Sequence, residues 1–131
     1  MGYELINEIG AKSALLDKAI GQLGARGRAY AQAERDYRVA LRKAVLEARA
    51  EGTPVTIISD ICRGDAEIAR LRLERDIAQT VYESAREAIQ GYKLQIRILD
   101  AQLEREWGRA SRGKQAAIQC RSGRSALLDQ P

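Results

Sequence analysis

The residues of this chain that could do chemistry are two cysteines and a few carboxylates. Cys62 and Cys120 are the only thiols in the 131 residues, and there is no histidine. A cysteine nucleophile needs a base that forms its thiolate, and histidine is the usual one. We therefore expect Cys62, beside Arg63, to be a buried and inert thiol. Asp60 and Asp65 lie on either side of Gly64, where helix capping is their expected role.

These residue types predict a protein that is not an enzyme. A structural zinc site needs four ligands, usually cysteine and histidine, and two cysteines far apart in the sequence do not supply them. We expect no metal, no cofactor and no small-molecule substrate. The thiols are expected to stay reduced in a cytoplasm, because the N-terminus MGYELINEIG lacks the basic and apolar segments of a secretory signal. We also expect no transmembrane segment.

The uneven distribution of charge indicates nucleic acid as one possible class of partner. Residues 108–131 contain five basic residues and a single carboxylate, which accounts for the whole net charge of +4. Glycine and serine are frequent there, so we predict a flexible basic tail. It could neutralise a few phosphates without reading sequence, which gives weak and salt-sensitive binding. The candidate nucleic-acid-binding residues are Arg109, Arg112, Lys114, Arg121 and Arg124.

A heptad pattern predicts a long helix over residues 65–107. Apolar residues recur at two positions of the heptad over about six repeats, as in a helix that packs along a partner. Only Arg75 and Glu106 interrupt this seam. Its members are Ile68, Leu71, Arg75, Ala78, Tyr82, Ala85, Ile89, Tyr92, Ile96, Leu99, Leu103 and Glu106.

A weaker pattern predicts another long helix over residues 3–50. Its seam includes the polar residues Lys12, Arg26 and Glu47, and Ile6, Ile20, Leu41 and Ala48 widen it on one side. The apolar seam members are Leu5, Ile9, Leu16, Ala19, Leu23, Tyr30, Ala33, Tyr37, Ala40 and Ala44. Glycines near residues 21–28 favour either a weak, bent or broken helix or a face of small residues that another helix or a phosphate backbone approaches closely.

The segment between the two long helices predicts a short corner helix over residues 54–63. Gly52 is suited to ending the first helix, and Thr53 and Pro54 are suited to starting the next. Val55, Ile57, Ile58 and Ile61 are then expected to be covered. A strand over residues 55–58 and a DNA-binding helix-turn-helix are alternatives, but the first has no partner strand and Asp65 and Glu67 would repel phosphates in the second.

Together these elements predict an all-α fold, a long antiparallel helical hairpin of the coiled-coil type with a corner helix. The second long helix also carries apolar residues off its seam, which indicates a further contact surface. A homodimer that forms a helical bundle is the first interpretation, and a different protein partner is the alternative. The candidate interface residues are Leu73, Ile77, Val81, Leu94 and Ile98.

Three segments carry a resemblance to known proteins: AERDYR, EGTPVTIISDICRGD and IRILDAQLEREW. Through them, residues 31–107 resemble small helical-hairpin proteins encoded by phages and prophages of Gram-positive bacteria. The resemblance implies a cytoplasmic protein of an infected or lysogenic cell. It also implies action by binding, either to replication or recombination machinery or to a host defence complex, as an anti-CRISPR inhibitor does.

Overall fold

Three helices make up the part of the chain that the structure, a computed structural model, describes. This part is residues 2–128, with side chains described for residues 2–123. Helix α1 is Gly2–Ala50, α2 is Val55–Gly64 and α3 is Ala66–Leu128. No strand occurs in residues 2–128. The all-α class is therefore confirmed, and residues 55–58, for which a strand is an alternative in the sequence, belong to α2.

The end of the last helix differs from the prediction. The sequence predicts that α3 stops at Trp107 and is followed by a flexible tail, but the helix continues to Leu128. Gly108, Gly113 and Gly123 each disfavour the helix by about 1 kcal/mol. The residues between them are mostly alanine, arginine, glutamine and lysine, which are strong helix formers. The helix propensity of the residues between the glycines thus outweighs the destabilising effect of the glycines.

The junctions between the helices follow from a few residues with special backbone roles. Gly52 adopts a φ of +85°, which favours glycine over any side-chain-bearing residue. Its N–H donates to the Arg49 carbonyl at 3.1 Å, and the Thr53 N–H donates to the Ala48 carbonyl at 3.0 Å. These two bonds form a Schellman motif that ends α1. Thr53 therefore does not cap α2, contrary to expectation, and Pro54 holds that position without a side-chain hydrogen bond.

Asp65 caps α3, as the sequence predicts. Its Oδ1 accepts hydrogen bonds from the backbone N–H of Glu67 at 3.0 Å and of Ile68 at 3.3 Å. These bonds satisfy two of the N–H groups that the first turn of a helix leaves without partners. Asp65 is also the single residue between α2 and α3.

The helices contribute to two compact units. Unit 1 contains Met1–Leu16 and Gly91–Pro131, and unit 2 contains Asp17–Gln90. In unit 2 the Tyr82 ring stacks on Tyr30 with 6.1 Å between centroids, and a Cβ on Gly27 would lie 3.2 Å from Tyr82. Gly27 thus makes room for an aromatic ring, and α1 passes through its glycines without a break.

The predicted seams are the covered faces of the helices. All twelve seam residues of α3 are buried or half-buried, with Ile68 at 4% and Ile89 at 5% exposure. In α1 every predicted seam residue is covered except Glu47, but Ile6 and Ile20, which are expected to widen the seam, are exposed. In unit 1 the covered set includes Leu5, and a Cβ on Gly2 would lie 3.1 Å from Nε1 of Trp107. Heptad spacing alone therefore identifies the inner faces.

A small core joins α2 to α1 in unit 2. Ile58 and Cys62 lie one turn apart and are buried with Ala48, and Leu41, Ala44 and Val45 pack against them. The expectation that all four apolar residues of α2 are covered is wrong. Val55, Ile57 and Ile61 are exposed, so Ile58 alone of the four is buried against α1.

Candidate functional site

One apolar stripe on α3 remains exposed in unit 2. Leu73, Ile77 and Val81 follow one another at intervals of four residues, so they lie along one side of the helix. Their exposed fractions are 60%, 54% and 37%. They lie away from the seam residues of the same helix, which are covered. We call these three residues the α3 stripe.

The other two candidate interface residues form a separate patch in unit 1. Leu94 is 58% exposed and Ile98 is 55% exposed, again one turn apart. Ile98 also lines a shallow cleft of about 210 Å³ with Leu99, Glu8 and Lys12. All five candidate interface residues are thus exposed, and they belong to two different units.

The candidate nucleic-acid-binding residues lie on a part of α3 whose described side chains are uncovered. Every side chain of residues 109–123 is exposed, including Arg109, Arg112, Lys114 and Arg121. Arg112 donates to the Gly108 carbonyl at 3.2 Å. Arg124 falls within α3, but its side chain lies outside the described residues. No carboxylate occurs in the sequence between Trp107 and Leu128, so every charged residue of this helical segment is basic.

Unit 2 contains a second basic surface that the sequence did not reveal. Two clefts of about 390 and 500 Å³ have Arg38 and Leu41 in common, so they adjoin and together make one basic surface. We call it the basic groove. Six arginines line it against one carboxylate, Glu34. The arginines are Arg38, Arg42, Arg49, Arg63, Arg72 and Arg75.

Ion pairs hold one end of the basic groove in place. Glu34 accepts from Nε of Arg38 at 2.6 Å and from Arg75 at 3.3 Å. Arg75 also donates to Asp76 at 2.7 Å, and its guanidinium lies 4.8 Å from the centre of the Tyr37 ring. Tyr37 is only 7% exposed. The Arg75 side chain therefore covers the tyrosine and links α3 to α1.

These interactions shift two pKa values. The hydrogen bond from Arg38, with the charges of Arg38 and Arg75, lowers the pKa of Glu34 below its ordinary value of 4.5. The hydrogen bond to Asp76 raises the pKa of Arg75. A lowered carboxyl pKa means that the Glu34 contribution to stability is present above the ordinary value. It disappears as the pH falls through the lowered value.

The other end of the basic groove has unbalanced charge. Among the side chains that the structure describes, Arg42 and Arg49 of this end form no ion pair, and neither does Arg63, which lines the cleft beside Glu34 and Arg75. Leu41 and Val45, which line this end with Arg42 and Arg49, are half-buried, and Leu46 is 53% exposed. This end therefore combines aliphatic and cationic side chains of α1.

A sequence signal for the basic groove exists, but it also fits a simpler interpretation. Arg38, Arg42, Val45 and Arg49 are spaced at four, three and four residues, which brings them to one face of α1. The mixed charges of this stretch equally predict a solvated surface with pairing along the helix. Of the three arginines, Arg38 alone has such a partner among the described side chains, Glu34. The groove arginines of α2 and α3 join from other helices, which no spacing within one helix could indicate.

The thiols and carboxylates form no catalytic arrangement in the part of the chain that is described. Cys62 is buried and Cys120 is exposed, and both are free. No group of three or more cysteine, aspartate or glutamate residues among the described ones could hold a metal ion. Among the same residues, no helix is both long and apolar enough to span a bilayer.

No family model matches the chain, and neither the curated proteins nor the solved structures include a significant match.

Proposed function

We propose that this chain is a non-enzymatic helical interaction protein that forms a homodimer through the α3 stripe and acts by binding a protein partner. The observation that carries the proposal is the exposure of Leu73, Ile77 and Val81 on one side of α3. Three large apolar side chains in a row favour a surface that covers them and excludes water. Each contributes about 1.5–3 kcal/mol when fully buried.

The spacing of the α3 stripe favours a second copy of the chain as the occupant. In a dimer with twofold symmetry, the same patch of each subunit meets itself. Two antiparallel α3 helices centred on Ile77 would set Leu73 against Val81 on both sides and Ile77 against its own counterpart. The stripe is therefore self-complementary in its arrangement of apolar side chains.

The proposal includes the antiparallel hairpin predicted from the heptads. Within unit 2, Gly27 lies against Tyr82, and Tyr37 lies further along α1 against Arg75, which comes earlier in α3. This reversed order supports α1 and α3 running in opposite directions there. Two such hairpins joined at the α3 stripes would form a four-helix bundle.

The proposed setting is a bacterial cell that carries a phage or prophage. It rests on the resemblance of residues 31–107 to phage-encoded helical proteins. The partner would then belong to the replication or recombination machinery or to a host defence complex, and the chain would act in the cytoplasm.

The proposal is tested by the mass of the full chain in solution, measured by light scattering. The wild type is expected at twice the 14.5 kDa of one chain. Ile77→Glu places two carboxylates against each other at the twofold axis and is expected to give a monomer. Val55→Glu is the matched control, because Val55 is 73% exposed and lies on α2. A monomeric wild type, or an Ile77→Glu variant that stays dimeric, would contradict the proposal.

A second candidate function is nucleic-acid binding through the last part of α3. The observation that favours it is the basic helix over residues 109–123, all of whose side chains are exposed. An uncovered cationic helix can lie along a phosphate backbone, releasing counterions without reading sequence. This alternative needs no contribution from the α3 stripe.

A further inference from the structure

We infer that the basic groove of unit 2 binds an acidic amphipathic helix of a partner protein. This goes beyond self-association, since it assigns a separate surface and the chemistry of what that surface takes. It does not require the α3 stripe, so either proposal can fail while the other stands.

Charge is the first argument. Six arginines against Glu34 give the lining of the groove an excess of five positive charges, whereas the whole chain has a net charge of only +4. Asp76 offsets part of this excess, because it pairs with Arg72 at 4.0 Å and with Arg75 at 2.7 Å. No described carboxylate pairs with Arg42, Arg49 or Arg63. These three guanidinium groups are available to carboxylates of another molecule, which arginine holds in a two-pronged geometry.

The aliphatic side chains are the second argument, and they select protein over nucleic acid. Leu41, Val45 and Leu46 line the same cleft as Arg38, Arg42 and Arg49 and offer partly exposed aliphatic surface. A sugar–phosphate backbone would use the arginines but leave this surface uncovered. The one aromatic ring of the groove, Tyr37, is buried under Arg75 and cannot stack on a base.

The dimensions of the groove are the third argument. Arg38 and Arg49 are eleven residues apart on α1, which corresponds to about 16 Å along the helix axis. Three turns of a partner helix have the same length. Such a helix would set aliphatic residues, spaced at three and four positions, on Leu41, Val45 and Leu46, with glutamates or aspartates on both sides.

The test uses the full chain and a labelled synthetic peptide, followed by fluorescence anisotropy. The probe is a short amphipathic helix with leucines on one face and glutamates on its flanks, and its control carries lysine in place of each glutamate. We expect the acidic peptide to bind at least about tenfold more tightly than the lysine peptide. Equal affinity of the two peptides would overturn the inference.

Substitutions in the chain test whether the acidic peptide binds at the basic groove. The double substitution Arg42→Glu, Arg49→Glu is expected to lower the affinity for the acidic peptide at least about tenfold. Leu46→Ala is expected to lower this affinity by a smaller factor. The matched control is Arg97→Glu combined with Arg105→Glu, which removes equal charge at exposed positions outside the groove and should leave the affinity unchanged. Ile77→Glu should also leave it unchanged. Circular dichroism establishes that each variant keeps its helix content.

Three results would assign the groove differently and overturn the inference. One is undiminished binding of the acidic peptide to the Arg42→Glu, Arg49→Glu variant. Another is competition between a short duplex DNA and the peptide for the wild type, together with weaker binding of that DNA to the same variant. This result would make the groove a nucleic-acid-binding surface. The third is conversion of the dimer to a monomer in that variant, which would make the groove part of the interface between copies.

Discussion

At the scale of single residues, Arg75 explains why a charged side chain occupies an apolar position of the seam. Its side chain is 21% exposed, bonds to Glu34 and Asp76, and covers Tyr37. A charged group in a helix seam can fix how the helices align, because a shifted alignment leaves it without partners. A shift of one heptad would move Arg75 away from Glu34. We interpret the residue as setting the alignment of α1 and α3 within unit 2.

Substitution of Arg75 tests this interpretation. Arg75→Ala removes the ion pairs with Glu34 and Asp76 and the cation–π interaction with the Tyr37 ring, so it should lower the free energy of unfolding by about 1–2 kcal/mol. Arg72→Ala is the control, because Arg72 is 54% exposed and lies 4.0 Å from Asp76. It should change the unfolding free energy by less than about 0.5 kcal/mol. Urea denaturation measures both.

The same measurement in acid separates the two contributions of Arg75. The pKa of Glu34 is lowered in the folded chain, so the ion pair stabilises above the ordinary pKa and ceases to do so as the pH falls through the lowered value. The destabilisation caused by Arg75→Ala should therefore shrink as the pH falls through the lowered pKa of Glu34, while the part due to Tyr37 remains. Equal destabilisation by Arg75→Ala and Arg72→Ala at neutral pH would contradict the role of Arg75.

At the scale of elements, the periodicity of apolar residues predicts which face of a helix is buried. It predicts less well where the helix ends. The covered seams of α1 and α3 follow from residue spacing, and Gly52 and Asp65 end α1 and begin α3 as their residue types indicate. The extension of α3 to Leu128 is missed because three glycines and several serines resemble a tail. Since no apolar seam continues after Trp107, no periodic signal is left to mark the helix.

The terminal part of α3 gives the prediction for nucleic-acid binding. If it binds phosphates, changing its four described basic residues to glutamine should weaken binding of duplex DNA and flatten its dependence on salt. The slope of log K against log salt should become shallower by about 0.9 for each phosphate that is no longer neutralised. The substituted residues are Arg109, Arg112, Lys114 and Arg121.

The control removes equal charge elsewhere. Four exposed arginines outside this segment are changed to glutamine in a second variant, and DNA binding should then keep most of its salt slope. These are Arg28, Arg35, Arg97 and Arg105. If both variants bind DNA equally weakly, net charge governs the binding and the terminal helix is not its site. Electrophoretic shifts at several salt concentrations measure both.

At the scale of the whole molecule, exposed surfaces carry the functional argument. The α3 stripe is predicted from the sequence, because apolar residues off a covered seam need another partner. The basic groove is not, because its arginines come from α1, α2 and α3 and meet only through the packing of Ile58 and Cys62 against α1. A surface formed by one helix can be predicted from the spacing of its residues. A surface formed by three helices can be predicted only when the arrangement of those helices is known.

The most direct test of the central claim is disulfide cross-linking at the proposed twofold axis. Ile77→Cys is introduced together with Cys120→Ser, which removes the exposed native thiol, while Cys62 stays buried. Val55→Cys in the same background is the control. Disulfides form only between residues whose Cα atoms are about 4.4–6.8 Å apart. Under mild oxidation, Ile77→Cys is expected to form a covalent dimer rapidly and Val55→Cys to form none. Absence of that dimer, or equal cross-linking of the two variants, would contradict self-association through the α3 stripe.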